Sequence, residues 1–466
     1  MNNQDAPDPQ LTRNLPVTES ESKMLELLRT NPLLARQIRS LVGRFGEEVA
    51  GGLDANQAEM MAIEEVGQLG KTILEQRAEN THQEEITRVK QGDPSLTNNG
   101  KKKLRWYTTF GRVSIDEQVL GRGRRGATIR VFKELANIGC HSCSLPLQRR
   151  IADFCSERSG RASVAALAEH YSIEVPLYTV GAVTRNVAKE AYVFNLERPP
   201  GKEPAAVQVT ELDGSMLPIV EFKGAAEVSD PAQKADKRKR RTCQWKEIRV
   251  CSTHDTMLAD ARYGTCFGGV LETGLMMAAT CVQSGMDPAT RIHGVGDGAT
   301  WIAEQYEERF GTQGSYLLDF YHVCEYLGEA ASSCPGGGTP AGKKRWMEKQ
   351  KKRLKENRYQ EVIDELENNQ EAEEMAEKEA PVRRCWRYLN NRKDQLDYKG
   401  AIDAELPIGS GEVESTHRHL LQQRLKIPGA WWKKETAADM AQLRVCLLYT
   451  SPSPRDRQRS RMPSSA

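Results

Sequence analysis

Residues 205–333 alternate short apolar runs with longer amphipathic runs, and this order restricts the folds that the chain can adopt. Short apolar runs bounded by turn residues predict strands, and runs with helical spacing predict helices. We expect strands at 206–212, 217–222, 244–251, 291–295 and 314–319, and helices at 268–283, 301–310 and 323–332. The first two strands are expected to form a hairpin, with Asp213 at the end of the first. The pattern therefore predicts an α/β domain.

Three strands followed by a helix, a strand, a helix, a strand and a helix is the order of an RNase H-like fold, so we predict an α/β RNase H-like core. In that fold the first and fourth strands are neighbours, which would place Asp213 beside Asp297, the residue that follows the fourth strand. A third acidic segment, 409–418, begins with a small-residue turn and continues as a helix that carries Glu412 and Glu414.

These acidic residues predict a divalent-metal site for phosphoryl chemistry on nucleic acid. Two-metal phosphoryl transfer needs anionic oxygen ligands, and Mg²⁺ takes few protein carboxylates. We predict Asp213, Asp297 and Glu414 as ligands of two Mg²⁺ ions, for which Mn²⁺ can substitute. Glu412 and Glu414 lie about 200° apart around a helix, so the two side chains cannot face one metal pair. For a single Asp before Gly, the alternative is a turn-forming aspartate.

The bulk composition restricts the remaining classes of protein. Lys and Arg number 66 against 64 Asp and Glu, so any nucleic-acid interface must come from local clusters. The eleven cysteines form no dense framework, which fits a reducing cytosol. The most apolar window, 264–285, contains Glu272 and several glycines and predicts a buried helix rather than a membrane span. Residues 1–19 show no secretory signal pattern.

The chain before the α/β region is expected to hold mainly helical DNA-binding modules. Residues 1–20 are expected to be disordered, 21–95 to be helical, and 96–198 to form a basic and helix-turn-helix-like region. In the last of these, cations are interleaved with aromatic residues and glycines, which favours contact with phosphates. These cations are Lys101, Lys102, Lys103 and Arg105. A solvated basic loop is the alternative, and helix pairs like 163–170 and 177–192 are also common in cores.

Two further local clusters carry open alternatives. A basic run lies in the loop between the second and third predicted strands, and it either contacts phosphate or is a solvated loop. Its members are Lys237, Arg238, Lys239, Arg240 and Arg241. Cys140 and Cys143 have the spacing of half a zinc site, but no second ligand pair is visible near them. A structural zinc ion at this pair is the less favoured alternative.

The rest of the chain completes the expected organisation. Residues 205–333 form the first part of the core, 340–400 an all-helical insertion, and 405–446 the last core helix with Glu414. Within the insertion, 343–380 is highly charged with a sparse apolar stripe, which predicts a mostly solvated helical arm. Residues 447–466 have no apolar periodicity and look like a non-native tail.

Several of these segments together resemble one family. The matching segments are 213–214, 296–302, 318–323, 406–415, 423–426 and 429–432. In this order they resemble bacterial insertion-sequence DDE transposases of the Kra type, which are related to the Mutator superfamily. The resemblance spans roughly residues 100–445.

The resemblance implies a DNA transposase that cleaves element ends in a metal-dependent reaction and transfers the freed 3′-hydroxyl to target DNA. It implies Asp213, Asp297 and Glu414 as the catalytic acidic residues. Asp319 and His322 match the superfamily's Asp-x-x-His element, and His322 would contact the scissile phosphate or position the site. Arg418, Arg424 and Lys426 are further candidate DNA contacts. The implied partner is DNA, bound by a homodimer or higher assembly in a bacterial cytoplasm.

Two alternatives to a transposase remain at this point. One is another RNase H-like nuclease or a resolvase, and the other is a catalytically silent, transposase-derived DNA-binding protein. All three acidic residues are present, which argues against the silent protein. A helical scaffold would explain 343–380 but not the three acidic motifs.

Overall fold

The computed structural model describes residues 18–45, 54–123, 127–135, 138–199, 204–224, 227, 229–230, 236–256 and 261–450. The chain divides into two compact units, Met1–Thr184 and Arg185–Ala466. The division falls inside a long helix, upstream of the break expected at 198–204. Most of the expected disordered segment and the end of the expected tail lie outside the described residues.

The first unit combines a helical region with a small antiparallel sheet. Its elements are helices α1 (Glu19–Thr30), α2 (Pro32–Phe45) and α3 (Ala55–Gly92), strands β1 (Thr97–Thr108), β2 (Gly111–Gly121) and β3 (Thr128–Arg130), and helix α4 (Val131–Leu135). Helix α1 begins with a capping box in which Thr18 and Glu21 bond each other's backbone, so the chain is helical from residue 19. Helix α3 packs on β2, where the Nε2 atom of His82 accepts the backbone N–H of Gln118 at 2.8 Å.

Three helices follow, namely α5 (Leu145–Glu157), α6 (Gly160–Tyr171) and α7 (Leu177–Glu197). The last two correspond to the helix pair expected from the sequence. Helix α6 ends because Ser172 adopts a left-handed conformation, with φ of 51°. Pro176 lies immediately before α7, where its missing N–H costs no helical hydrogen bond.

The second unit is built on a five-stranded sheet with both antiparallel and parallel neighbours. Its strands are β4 (Val207–Phe222), β5 (Arg241–Asp255), β6 (Arg262–Cys266), β7 (Arg291–Gly296) and β8 (Gly314–Leu318), in the order β6-β5-β4-β7-β8. Strand β4 runs antiparallel to β5 and parallel to β7, and β7 runs parallel to β8. The expectation that the first and fourth strands are neighbours is confirmed.

The expected hairpin between 206–212 and 217–222 is wrong, because both segments belong to the single strand β4. The register with β5 is unbroken from Gln208 opposite Asp255 to Phe222 opposite Arg241. Gly214 and Ser215 suggest a turn locally, but pairing along this whole length outweighs that preference. The third strand of the sheet is instead β6, which the sequence reading missed.

Helices cover the sheet of the second unit. They are α8 (Val270–Gln283), α9 (Thr300–Phe310) and α10 (Phe320–Ala330), each within three residues of its expected start. A buried cluster joins Leu212 of β4, Met277 of α8 and Ile292 of β7 with Tyr306 of α9. The Tyr306 hydroxyl donates to the backbone oxygen of Thr210 at 2.6 Å, so the ring's polar end is satisfied inside the core.

The helical insertion has a core of its own, so the solvated arm expected at 343–380 is wrong. Helices α11 (Pro340–Lys355), α12 (Tyr359–Glu367), α13 (Pro381–Asn390) and α14 (Tyr398–Asp403) form it, and 368–380 is not an α-helix. Its sparse apolar residues are buried against α10, because short helices that pack on one another need few apolar positions each. They include Trp346, Leu354, Val362, Ile363 and Leu366.

The last described segment returns to the sheet. Helix α15 (Gly411–His417) continues through a wide turn, Arg418–Gln422, into α16 (Gln423–Leu425), and α17 (Lys434–Thr450) follows. The beginning of the expected tail, 447–450, lies in α17, and 451–466 lies outside the described residues. Within the described ranges, no helix is both long and apolar enough to cross a membrane.

Candidate active site

Asp213 and Asp297 lie just beyond the point where the pairing between the parallel strands β4 and β7 ends. The pairing of β4 with β7 ends at Glu211 opposite Val295. Asp213 follows two residues later on β4, and Asp297 follows the last residue of β7. Asp213 is therefore not at a strand end, as the sequence suggested, but at the point where β4 loses its parallel neighbour. The carboxyl ends of parallel strands are a common place for functional side chains, because loops and helices leave the sheet there.

The charge environment of Asp213 is unusual for a partly exposed carboxyl. Burial raises its pKa, the negative charge of Asp297 raises it further, and His417 and His322 oppose both effects. The Nδ1 atom of His417 lies 3.5 Å from Oδ2 of Asp213. Among the described residues, no Lys or Arg forms an ion pair with Asp213, Asp297 or Glu414. Two facing carboxylates without a fixed cation favour binding of a mobile one.

The loop that carries Asp297 is held by the helical insertion. The Tyr388 hydroxyl donates to the Asp297 backbone oxygen at 2.7 Å, and Nε of Arg392 donates to the Gly298 oxygen at 2.6 Å. Gly298 has φ of 80°, and a Cβ there would lie 2.3 Å from the Leu318 side chain. Glycine is therefore required at this position. The insertion thus fixes the backbone of one candidate ligand.

Helix α15 brings Glu414 to the same region, and a buried carboxylate holds its first turn. Glu414 is exposed, whereas Glu211 of β4 is 2% exposed and accepts the Val413 N–H at 2.7 Å. Burial raises the pKa of Glu211, with the His254 ring 3.9 Å away opposing that shift. The sequence reading missed Glu211. A carboxylate within a predicted strand, between Val209 and Leu212, was the available signal.

Asp319 holds the turn that precedes α15. Its Oδ1 accepts the backbone N–H groups of Tyr321 and His322 at 2.6 and 3.1 Å, as an N-cap of α10. Its Oδ2 accepts the Ser410 N–H at 2.6 Å and the Ser410 hydroxyl. These four hydrogen bonds position the turn before α15, which gives Asp319 a structural task beside the catalytic role predicted for it.

The remaining predicted site residues differ in accessibility. His322 is exposed, with Nδ1 3.5 Å from Oε2 of Glu325. Glu412 accepts the Tyr263 hydroxyl at 3.1 Å. Ser410 occupies the N-cap position of α15, but its side chain makes no capping hydrogen bond and bonds Asp319 instead. Glu412 and Glu414 therefore have different surroundings, as their spacing on the helix predicts.

The structure does not gather the three predicted ligands into a closed cluster. Within the described ranges, no group of three or more His, Cys, Asp or Glu side chains is close enough to hold a metal ion. Glu414 is the exposed member, and its long side chain can turn without moving the helix. At the Cys140–Cys143 pair, burial raises the pKa of the Cys143 thiol to about 12, which opposes the thiolate that zinc needs.

The predicted DNA contacts fall into three groups. The exposed cations are Lys101, Lys102, Lys103, Arg105, Lys239, Arg241, Arg418 and Lys426, and Arg240 is half-buried. The side chains of Lys237 and Arg238 lie outside the described residues. Arg424 is only 6% exposed, and its guanidinium lies 4.7 Å from the Trp432 ring centre. That guanidinium packs inside the unit rather than presenting its charge at the surface.

Comparison with known proteins gives a partial match. Residues 284–453 match the model of an uncharacterised protein family, UPF0236. The comparison with curated proteins returned no match. Among solved structures, the Drosophila P element transposase strand transfer complex is similar over 65% of this chain and 79% of that chain, with 8% identity and a TM-score of 0.27. A TM-score this low carries no argument about fold or function, which leaves the topology and the site as the basis for a functional assignment.

Proposed function

We propose that the protein is a DNA transposase of the DDE type with an RNase H-like core. One observation supports this proposal above the others. Asp213 and Asp297 lie just beyond the point where the pairing of the parallel strands β4 and β7 ends, and helix α15 contacts β4 there. The strand order β6-β5-β4-β7-β8, numbered along the sheet as 3-2-1-4-5, is the order of an RNase H-like fold. Asp213 lies in the central strand β4, and Asp297 follows the adjacent strand β7.

The donor set at this edge fits a hard divalent cation. Asp213, Asp297 and Glu414 offer only carboxylate oxygens, which suit Mg²⁺ or Mn²⁺. Burial raises the pKa of Asp213 and the charge of Asp297 adds to that shift, so a bound cation would oppose both effects. Two bound ions would activate the attacking oxygen and neutralise charge on the phosphate.

The protein contributes by holding the segments that carry the candidate ligands in fixed positions. Glu211 fixes the Val413 backbone and Asp319 fixes the Ser410 backbone, so α15 has a defined start relative to β4 and α10. Tyr388 and Arg392 fix the backbone at Asp297 and Gly298. Glu414 is left free to rotate toward the two aspartates, which is the movement that the proposal requires. Holding reactants in a fixed geometry is a large part of rate acceleration in such reactions.

The proposed chemistry has two steps. Water attacks a phosphodiester at the element end, the bond from phosphorus to the 3′-oxygen breaks, and a 3′-hydroxyl and a 5′-phosphate result. That 3′-hydroxyl oxygen then attacks a target phosphodiester and displaces its 3′-oxygen. A plain nuclease or resolvase-like enzyme would not join the element to target DNA, so the joined product distinguishes a transposase from it.

Metal-dependent nicking of a plasmid that carries the gene's flanking DNA tests the proposal. Asp213→Asn and Asp297→Asn keep side-chain volume but lose the charge that holds metal. Loss of several kcal/mol of transition-state stabilisation should reduce cleavage at least about a hundredfold. Glu221→Gln is the matched control, because Glu221 is an exposed carboxylate on the same strand, paired with Lys246.

DNA affinity should stay near that of the wild type in both Asn variants. Near-normal cleavage by either Asn variant, with the same response to metal, would remove that aspartate from the site. Equal loss in the Glu221→Gln control would show that the assay reports general damage to the sheet.

A further inference from the structure

The far end of the β4–β5 hairpin exposes three large aromatic residues in one area. We call Phe222, Arg241, Trp245, Trp431 and Lys433 the hairpin tip. Trp245 is 64% exposed, Trp431 52% and Phe222 40%. Tryptophan is on average a highly buried residue, so exposed tryptophans grouped with cations point to a binding surface.

Strand register puts these groups on one face. Phe222 is directly opposite Arg241, and Pro218 is opposite Trp245. Directly opposed residues share a face of the sheet, and so do residues separated by an even number along a strand. Arg241 and Trp245 therefore share a face and lie about 13 Å apart, at about 3.3 Å per residue.

Trp431 is held in place by its neighbour. Trp432 is 7% exposed, and its backbone pairs with β4. Val220 N–H donates to the Trp432 oxygen at 2.7 Å, and Trp432 N–H donates to the Pro218 oxygen at 3.2 Å. The Trp432 indole also donates to the Leu425 oxygen at 2.9 Å. Because successive side chains of an extended segment point to opposite sides, burial of Trp432 directs Trp431 outward.

Cations accompany two of the three rings. The Arg241 guanidinium lies 4.9 Å from the Trp431 ring centre, and the Lys433 ammonium lies 5.8 Å from that of Phe222. Further exposed cations in the adjoining sequence are Lys223, Lys239 and Lys434. Glu221 is bonded to Lys246 and Glu247 to Arg249, while Glu227, Asp230 and Glu435 are further exposed carboxylates of the same stretches. Cations outnumber carboxylates here, which complements a polyanion.

We propose that the hairpin tip binds an unpaired nucleic-acid strand, with bases stacked on Trp431 and on Trp245 or Phe222 and phosphates beside the cations. Aromatic platforms edged with positive charge bind single strands because every base has a stacking face, whereas the faces of paired bases are covered inside a duplex. Phe222 lies nine residues beyond Asp213 on β4, about 30 Å away at about 3.3 Å per residue. The hairpin tip is therefore separate from Asp213, Asp297 and Glu414. Its proposed role rests on the proposed function as a DNA-processing protein but does not require DNA cleavage.

Binding of a fluorescent oligothymidylate of about 15 nucleotides to the full chain tests the proposal, without divalent metal. Trp431→Ala should weaken this binding about 5- to 150-fold, the range for removal of one base stack. Trp431→Phe should recover most of the loss, because phenylalanine keeps a stacking face. Leu271→Ala is the control, since Leu271 is 57% exposed but has no ring. An oligouridylate arm shows whether the strand is DNA or RNA.

Duplex of the same length should bind Trp431→Ala and the wild type alike. The proposal is overturned if Trp431→Ala binds oligothymidylate as the wild type does, or if it loses duplex binding equally. It is also overturned if the substitution changes the number of copies in the assembly but not nucleotide binding, because the tip is then a contact between copies. Since no metal or cleavage is involved, failure of this test leaves the proposed catalytic role to be judged by plasmid nicking.

Discussion

Two regions of strand β4 carry opposite chemistry, namely the acidic region around Asp213 in its middle and the hairpin tip at its far end. At Asp213 the strand is still paired with β5, has just lost its neighbour β7, and is contacted by helix α15. Around Phe222 it has β5 on one side and only the short bridge to Trp432 on the other, with cations and exposed rings. The acidic region has the fixed backbone that the proposed phosphoryl transfer requires. The second has the open, positively charged surface that a flexible polymer requires.

The difference lies in how carboxylates and cations are partnered. The oxygens of Glu211 and Asp319 bond backbone N–H groups at the start of α15. Burial raises the pKa of Asp213, whose Oδ1 accepts the Gly214 N–H at 2.6 Å and whose Oδ2 lies 3.5 Å from Nδ1 of His417. Glu211 and Asp319 therefore hold a distant segment, whereas Asp213 and Asp297 accept the N–H groups of Gly214 and Ala299 beside them.

The largest expected effect is a loss of nicking that distinguishes Glu414 from Glu412 in the acidic region. Glu414→Gln should reduce metal-dependent nicking at least about a hundredfold, since it removes a charge proposed to hold metal. Glu412→Gln keeps an oxygen for the Tyr263 hydroxyl and should cost at most about 1 kcal/mol of unfolding free energy. Nicking rates of both variants decide the assignment. A dead Glu412→Gln beside an active Glu414→Gln would reverse it.

Metal binding at the acidic region around Asp213 should raise the free energy of unfolding, and this effect should not depend on the hairpin tip. Mn²⁺ or Mg²⁺ at a hundred times its dissociation constant should raise the unfolding free energy by about 2.7 kcal/mol, because the ion binds the folded state. Asp213→Asn should lose this stabilisation, whereas Trp431→Ala should keep it. Thermal unfolding with and without metal measures both. A stabilisation that survives in Asp213→Asn would place the metal elsewhere.

The support beneath α15 should contribute a smaller but measurable stability. Glu211→Ala leaves the Val413 N–H without its acceptor, which should cost about 1–3 kcal/mol of unfolding free energy. Glu211→Gln keeps an oxygen acceptor and should cost less. Chemical denaturation of the two variants measures the difference. Equal losses would mean that the hydrogen bond to Val413 contributes nothing.

Neutralising the cations Lys239 and Arg241 should give the smallest effect, which appears only in the salt dependence of DNA binding. Replacing both Lys239 and Arg241 by Gln should reduce the slope of log K against log salt by about 0.9 for each duplex DNA phosphate that these cations neutralise in the wild type. Asp213→Asn should leave the slope unchanged. Titrations at several salt concentrations provide the comparison. An unchanged slope in the double variant would remove this turn from the DNA interface.

Much of the second unit could be predicted because its signals are local. The helices at 270–283, 300–310 and 320–330 follow from apolar spacing, and β7 and β8 follow from short apolar runs. Adjacency of the first and fourth strands followed from their order. The single strand β4 did not follow, because Gly214 and Ser215 read as a turn until the pairing with β5 is known.

The sequence by itself determined where acidic, basic and aromatic side chains occur, and in what order strands and helices come, because both depend on residue identity and short-range periodicity. Only the tertiary structure decided what each group is for. Glu211 and Asp213 are two residues apart, yet one bonds Val413 and the other lies beside His417. Trp431 and Trp432 are adjacent, yet one is exposed and the other buried. The reason is that burial and hydrogen-bond partners come from segments far away in the chain, which no local pattern encodes.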